Sequence, residues 1–222
     1  MRAVNRTGRF DYFLGGEKQP LTETFEIDGS LVTSRRQAPD FGVDLTVRAV
    51  YLNDGAIDGG AALGASPAGV SIGLTMPNVT VTAEYRRTDD RMRVLRTVDG
   101  HAFEDEVSGP ALLLPLLRIY AGPVVRALGV VGTDGAPVCV PDIRPGTAPT
   151  DLLAPVVDAR TAELVEAGHG ATTYRVVGGS YESGAEFTLD AAGLLTQYRW
   201  DQEGVGAWLV RRVDDHSAPD QI

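Results

Sequence analysis

One cysteine, Cys139, stands in 222 residues, so neither a disulfide framework nor a multi-cysteine zinc site is available. It lies in the apolar run Pro137-Val-Cys-Val and reads as a buried, inert thiol. Histidine is nearly as scarce. His101, His169 and His216 offer no His-x-His or His-Glu-x-x-His pair, so no metal is expected. Also missing are a P-loop and a glycine-rich loop between a strand and a helix, which leaves nucleotide phosphates without a cradle and implies no cofactor. Ser66 in Gly64-Ala-Ser-Pro-Ala and Ser180 in Gly178-Gly-Ser-Tyr-Glu both lack the final glycine of a nucleophile elbow.

Positive charge is in short supply too. Against 30 Asp and Glu there are 20 Lys and Arg, a net charge of -10 that favours solubility and argues against nucleic acid as a partner. The basic cluster between Arg91 and Arg96 falls on a strand, where its arginines split between two faces. The charged N-terminal stretch has no apolar segment behind it, so no signal peptide is read there and a cytoplasmic address is expected.

Long hydrophobic runs are absent but for one, residues 109–129. Pro110 suits the first turn of a helix, Gly122-Pro123 suits its stop and the start of a second, and Gly129 suits the end, which predicts two short helices with a bend between them. Arg118 and Arg126 alone break its apolar character, so the pair is expected to be covered on most sides. It is not a membrane span, because its prolines break the helix and each arginine near the centre costs about 2.5–3.5 kcal/mol there.

What is abundant is alternation. Leu21, Glu23, Phe25 and Ile27 interleave with Thr22, Thr24, Glu26 and Asp28 before a turn at Asp28-Gly29. Val43, Leu45, Val47, Ala49 and Tyr51 form another apolar face of period two. Further strands are predicted at 10–14, 30–36, 70–76, 79–87, 91–98, 103–107 and 138–143. The closing series is 161–167, 172–177, 185–190, 194–200 and 205–213. Thr150 reads as the cap of one or two helical turns over 150–160. Residues 53–69 form a flexible Gly/Ala-rich loop, and 214–222 a disordered tail.

About a dozen strands in hairpin order, with helices gathered in the middle, predict a mainly β (α+β) single domain over 1–222. Its antiparallel sheet is too wide to stay flat, and curls into a half-barrel around a central helical plug. This layout resembles the LolA/LppX-like group of half-barrels. The points of similarity are the opening strand ending in Leu14-Gly15-Gly16, the buried mid-chain segment from Pro110 to Leu128, and the closing hairpin from Phe187 to Trp200. The resemblance implies binding or carriage of a lipid or other apolar ligand without covalent chemistry. It assigns no individual binding residue.

Candidate site residues come from the plug and the strands that face it. Asp142 and Arg144, two apart, share a strand face, and Asp158 and Arg160 repeat the pattern. An arginine buried in apolar helices needs a carboxylate to offset its desolvation, so the structural expectation is an ion pair joining Arg118 or Arg126 to the sheet. The functional expectation is that Arg118 or Arg126 holds the anionic head of a ligand. Tyr120 lies beside Arg118, and Tyr198 and Trp200 share a face of a closing strand. Glu182 and Glu186, near Tyr181, read as solvated hairpin carboxylates rather than an acid–base pair. The sequence therefore points to a noncatalytic binder of a hydrophobic or amphipathic small molecule at Arg118, Tyr120, Arg126, Asp142, Arg144, Tyr198 and Trp200. An enzyme of cyclase or isomerase type using the same cavity, and a structural or partner-binding protein with a filled core, are the alternatives. Oligomeric state is not legible.

Overall fold

Period-two alternation carries most of the chain into strands. The computed structural model describes residues 6–51, 66–88 and 90–214. The first eight strands are β1 (Arg6–Leu14), β2 (Glu17–Asp28), β3 (Leu31–Ala38), β4 (Val43–Val50), β5 (Gly69–Met76), β6 (Val79–Arg87), β7 (Arg91–Val98) and β8 (His101–Ser108). After the two-residue β9 (Leu112–Leu113) come a 3-10 turn at Arg118–Tyr120 and the helix α1 (Ala121–Val131). The rest is β10 (Ala136–Pro141), β11 (Pro155–Gly168), β12 (Ala171–Gly178), β13 (Tyr181–Asp190), β14 (Leu195–Gln202) and β15 (Gly206–Asp214).

These make one curved, unclosed sheet of fifteen strands with a single helix packed against it. β1 and β15 lie side by side at its centre. From there β2 to β8 run in order to one edge, and β14 back to β9 run to the other. All neighbours are antiparallel except β9 and β10. The two edge strands are thus consecutive in sequence, and only Gly109, Pro110 and Ala111 separate them.

That connection forces the curvature. Laid flat, fifteen strands spaced about 4.8 Å apart would put the edges about 67 Å from each other. Four Cα steps of about 3.8 Å reach at most about 15 Å. The sheet therefore rolls until its edges nearly meet, and β7 shows the result. Met92, Val94, Arg96 and Val98 point inward and are buried, while Arg91, Arg93, Leu95 and Thr97 are exposed, so the basic cluster splits as its spacing predicts.

The edges do not pair; side chains bridge them. From β7, Arg96 donates to the carbonyls of Thr150 (2.7 Å) and Leu152 (3.1 Å) and pairs with Asp105 of β8 at 2.7 Å. From β6, the Tyr85 hydroxyl donates to Leu153 O at 2.6 Å.

The roll encloses the apolar segment, which supplies Leu113, Leu117, Ile119, Tyr120, Val124, Val125 and Leu128 to the core. It holds one helix, not two. Pro115 biases Leu114 away from the helical region, Leu116 has φ +57°, and Leu114 donates its N–H to Cys139 O instead of a helical partner. α1 then begins at Ala121 with Gly122-Pro123 in its first turn, as expected of the second helix, and continues past Gly129 to Val131. Gly122 serves contact, since a methyl there would overlap the backbone carbonyl of Gly193 in the β13–β14 turn. The helical turns expected over 150–160 reduce to a 3-10 turn at Pro149–Asp151 with no side-chain cap. Pro155 instead opens β11 opposite Pro141, at the end of the ladder, where a missing N–H costs least.

Residues 53–65 of the expected loop and 215–222 of the expected tail lie outside the described residues, as does His216; Gly69 opens β5 and Asp214 closes β15. Cys139 is fully buried, and burial pushes its thiol pKa up to about 12. No helix among the described residues is long and apolar enough to cross a membrane.

The Gly122 contact gives a direct test of the plug. Gly122→Ala should cost about 1–3 kcal/mol, the range for forcing a methyl into a packed interior, and lower the urea midpoint accordingly. Gly73→Ala, at a strand position with no atom near the new methyl, is the control and should stay within about 0.5 kcal/mol of the parent.

Candidate ligand-binding cleft

Where the plug begins, the rolled sheet leaves a cleft of about 710 Å³, within the range of small-molecule pockets. Leu114, Leu116, Val140, Ile143, Val156 and Trp200 form its apolar walls. Arg36, Arg118, Asp142, Arg160 and Tyr181 supply buried or half-buried polar groups, and Arg144, Glu182, Asp201 and Glu203 are exposed at its rim.

The deep end is organised by an acid in an apolar row. Glu23 shares the inward face of β2 with Phe25 and Ile27 and is fully buried. Its Oε2 accepts from the Tyr12 hydroxyl at 2.5 Å, and its Oε1 accepts from the backbone N–H groups of Arg118 (2.6 Å) and Ile119 (3.4 Å). The carboxylate thus satisfies donors at the start of the 3-10 turn. Across the strand pair it faces Arg36. Burial raises the Glu23 pKa above its usual value, opposed by Arg36, Tyr12 and Arg118, and burial together with Glu23 raises that of the Tyr12 phenol.

With its backbone held by Glu23, Arg118 lays its guanidinium 4.2 Å from the centre of the Tyr198 ring. Its Nε is buried without a hydrogen-bond partner, and no carboxylate among the described residues lies within ion-pair distance of the guanidinium. Burial opposes the charge, but Tyr181, Tyr198, Tyr12 and Glu23 raise the Arg118 pKa on balance. Arg118 stays cationic.

Arg160, only 5% exposed, stands on the other side of the aromatic group, 5.3 Å from the centre of the Tyr181 ring. Its Nε also has no partner, and its contact with Asp158 is long, at 3.7 Å. Gly179, at φ +59°, lets the β12–β13 turn approach this pair, because a Cβ there would lie 2.8 Å from both Arg160 Nη2 and Asp158 Oδ2. Tyr181 packs edge-on against Trp200 and Phe187, at centroid distances of 5.4 and 5.7 Å. Burial pushes its phenol pKa up, but Arg118 and Arg160 overcome this and leave it below the usual tyrosine value. Burial and Tyr181 raise that of Tyr198.

Of the residues singled out from sequence, Arg118, Asp142, Arg144 and Trp200 line this cleft, and Tyr198 backs Arg118. Tyr120 and Arg126 do not. Two residues past Arg118 in a tight turn, Tyr120 sends its hydroxyl between the carbonyls of Val32 (3.0 Å) and Val47 (2.9 Å), where it anchors the plug to β3 and β4. Arg126 lies over Gly193 on the outer side of α1 and lines a separate cleft of about 400 Å³ with Tyr174 and Asp190.

Among the described residues, neither Arg118 nor Arg126 forms the expected ion pair between plug and sheet. Asp142 is taken by Arg144, which donates Nε and Nη2 to it at 2.9 and 2.6 Å and holds its carboxyl below the usual range. Glu23, Tyr12, Arg36 and Tyr181 were not picked out as site residues. Glu23 and Arg36 carried a signal, since each is a charge on the inward row of a strand. The convergent donors are guanidinia and a phenol, a set suited to an anion and not to a metal cation.

Glu23→Gln keeps the shape but turns an amide NH2 toward donors, which should cost about 1–3 kcal/mol. The pH dependence separates charge from packing. A carboxyl with a raised pKa in the folded state keeps its proton where the unfolded chain has lost it. Wild-type stability therefore falls relative to Glu23→Gln as pH rises from the ordinary value of 4.5 through the folded one. Urea midpoints of both proteins between about pH 4 and 8 check this; parallel curves would contradict it. No protein-family model matches the chain and no curated protein matches it, so the functional reading rests on the chemistry of this cleft.

Proposed function

We propose that the protein is a noncatalytic binder of an amphipathic small molecule, whose anionic head meets Arg118 and whose apolar body lies along Leu114, Leu116, Ile143, Val156 and Trp200. The observation that carries the reading is the Arg118 guanidinium, which meets no carboxylate among the described residues and whose Nε has no hydrogen-bond partner, in a cleft whose lining combines apolar and polar groups. A half-buried cation with a fully buried, unpartnered Nε and no carboxylate beside it is costly, and a ligand anion offsets that cost. The side chain is also preorganised, by Glu23 on its backbone and by Tyr198 under its plane. The LolA/LppX-like layout implies the same class of ligand. Against an acid–base enzyme stands the placement of Glu23, which is sealed from the cleft and committed to Tyr12 and the plug.

Native mass spectrometry of the purified protein, followed by calorimetric titration with dodecanoate, tests the reading. A co-purifying acidic amphiphile, or binding of dodecanoate, is the expected result. Arg118→Met should weaken dodecanoate binding about 10- to 100-fold, the loss of a charge-assisted pair, and Arg126→Ala, in the other cleft, should leave it unchanged. Equal binding by wild type and Arg118→Met would overturn the assignment.

A further inference from the structure

We infer that, within this proposed site, the head group selected is a phosphate monoester rather than a carboxylate, held between Arg118 and Arg160 with Tyr181 as a third donor. The inference rests on the amphipathic-ligand reading and on one further observation: the cleft holds two unmet guanidinium donors, not one. The Nε atoms of Arg118 and Arg160 are both buried and unpartnered. Both side chains line the cleft, and each stacks on one ring of the adjoining Tyr198 and Tyr181, whose centroids are 6.0 Å apart.

A carboxylate has two oxygens in one plane and one charge. Arg118 alone would saturate it, and the Arg160 Nε would stay buried and unpaired. A phosphate monoester has three free oxygens in a tetrahedral array and close to two charges at neutral pH, enough to meet two guanidinium forks and a phenol from different sides.

The neighbouring carboxylates leave this charge in place. Asp142 is engaged by Arg144 through two hydrogen bonds. Among the described residues Asp158 is the carboxylate within ion-pair distance of Arg160; it is 34% exposed and 3.7 Å away, so solvent screens it more than it screens the buried arginine. Arg36, which also lines the cleft, faces Glu23 across the strand pair. With Glu23, when ionised, counted against Arg36, the inner cleft keeps Arg118 and Arg160 against Asp158, and the other lining carboxylates, Glu182, Asp201 and Glu203, are exposed at the rim, where solvent screens them.

Titration of one twelve-carbon tail with different heads tests the inference. The probes are dodecyl phosphate, dodecanoate and dodecanol, held below their micelle concentrations, with glycerol phosphate as the head without a tail. Dodecyl phosphate should bind at least about tenfold more tightly than dodecanoate at pH 8, the equivalent of one more charge-assisted contact. The advantage should shrink at pH 5, where the phosphate has gained a proton. It should fall to about threefold or less in Arg160→Ala, and, should that variant fail to fold, in Arg160→Gln; Tyr181→Phe should reduce it by a smaller factor. Equal affinity for dodecyl phosphate and dodecanoate overturns the head-group inference and leaves the amphipathic reading standing. Equal affinity for dodecyl phosphate and glycerol phosphate supports the head group but overturns the role given to the apolar walls. Binding by none of the four overturns both.

Discussion

Three residues between the edges of a fifteen-stranded sheet constrain everything else in this fold. Because Gly109, Pro110 and Ala111 must connect β8 to β9, the sheet has to roll, and a rolled sheet has an inner face that must be filled. The filler is the segment that follows the link directly, so one short connection both bends the sheet and delivers its core. Closure by a hydrogen-bonded ladder is not reached. The bonds of Arg96 and Tyr85 to the carbonyls of 150–153 join the two sides instead, and they leave the region around the start of the plug open.

How the plug is seated then decides what that opening presents. Glu23 takes the backbone N–H groups of Arg118 and Ile119, leaving the Arg118 guanidinium to the aromatic group and the cleft. Had the same carboxylate met the guanidinium, the result would be an internal ion pair and an electrically quiet floor. Elsewhere the protein pairs its charges freely, as in Arg35 with Asp44 and Arg93 with Glu104, but those pairs are exposed and worth about 0–1 kcal/mol each. Inside, Arg96 has Asp105 and Arg212 has Asp190, whereas the Arg118 guanidinium meets no carboxylate among the described residues, and that contrast sets the cleft apart from the protein's general habit of pairing its charges.

Much of the fold was legible because strands declare themselves locally. The rows Val43 to Tyr51 and Met92 to Val98 alternate in sequence as they do in space, and β7 was bounded correctly from pattern alone. In the plug, proline and glycine punctuation marks the start of α1 at Gly122-Pro123 but not the non-helical course of the chain from Pro110 to Leu117, where the pattern predicts a first helix. Whether Gly122 ends a helix or lets it touch Gly193 depends on a partner more than seventy residues away, which no local rule can see. The same limit applies to the cleft. Arg118 was visible as a charge in an apolar run, whereas its meeting with Arg160 and Tyr181 is a product of the roll. Glu23 was placed in the inward row without its charge being weighed, and that charge was the one local mark of the seat it forms.

Charge also decides which ligands suit such a site. The chain carries a net charge of -10, so an anion approaching from bulk water meets a repulsive field before it meets Arg118. A small, fully hydrated anion has little to gain: it loses its water and is opposed by the long-range field, with one local attraction in return. An amphipathic anion differs, because burial of its apolar body against Leu114, Ile143 and Trp200 contributes about 25 cal/mol per Å² whatever the net charge. Salt sharpens the distinction. Screening weakens the long-range repulsion more than the short contact with a buried guanidinium, so affinity at this site should hold or rise with ionic strength, where surface capture of an anion would weaken. A site that combines an inward cation with apolar walls inside an acidic shell is therefore selective for ligands that carry both halves.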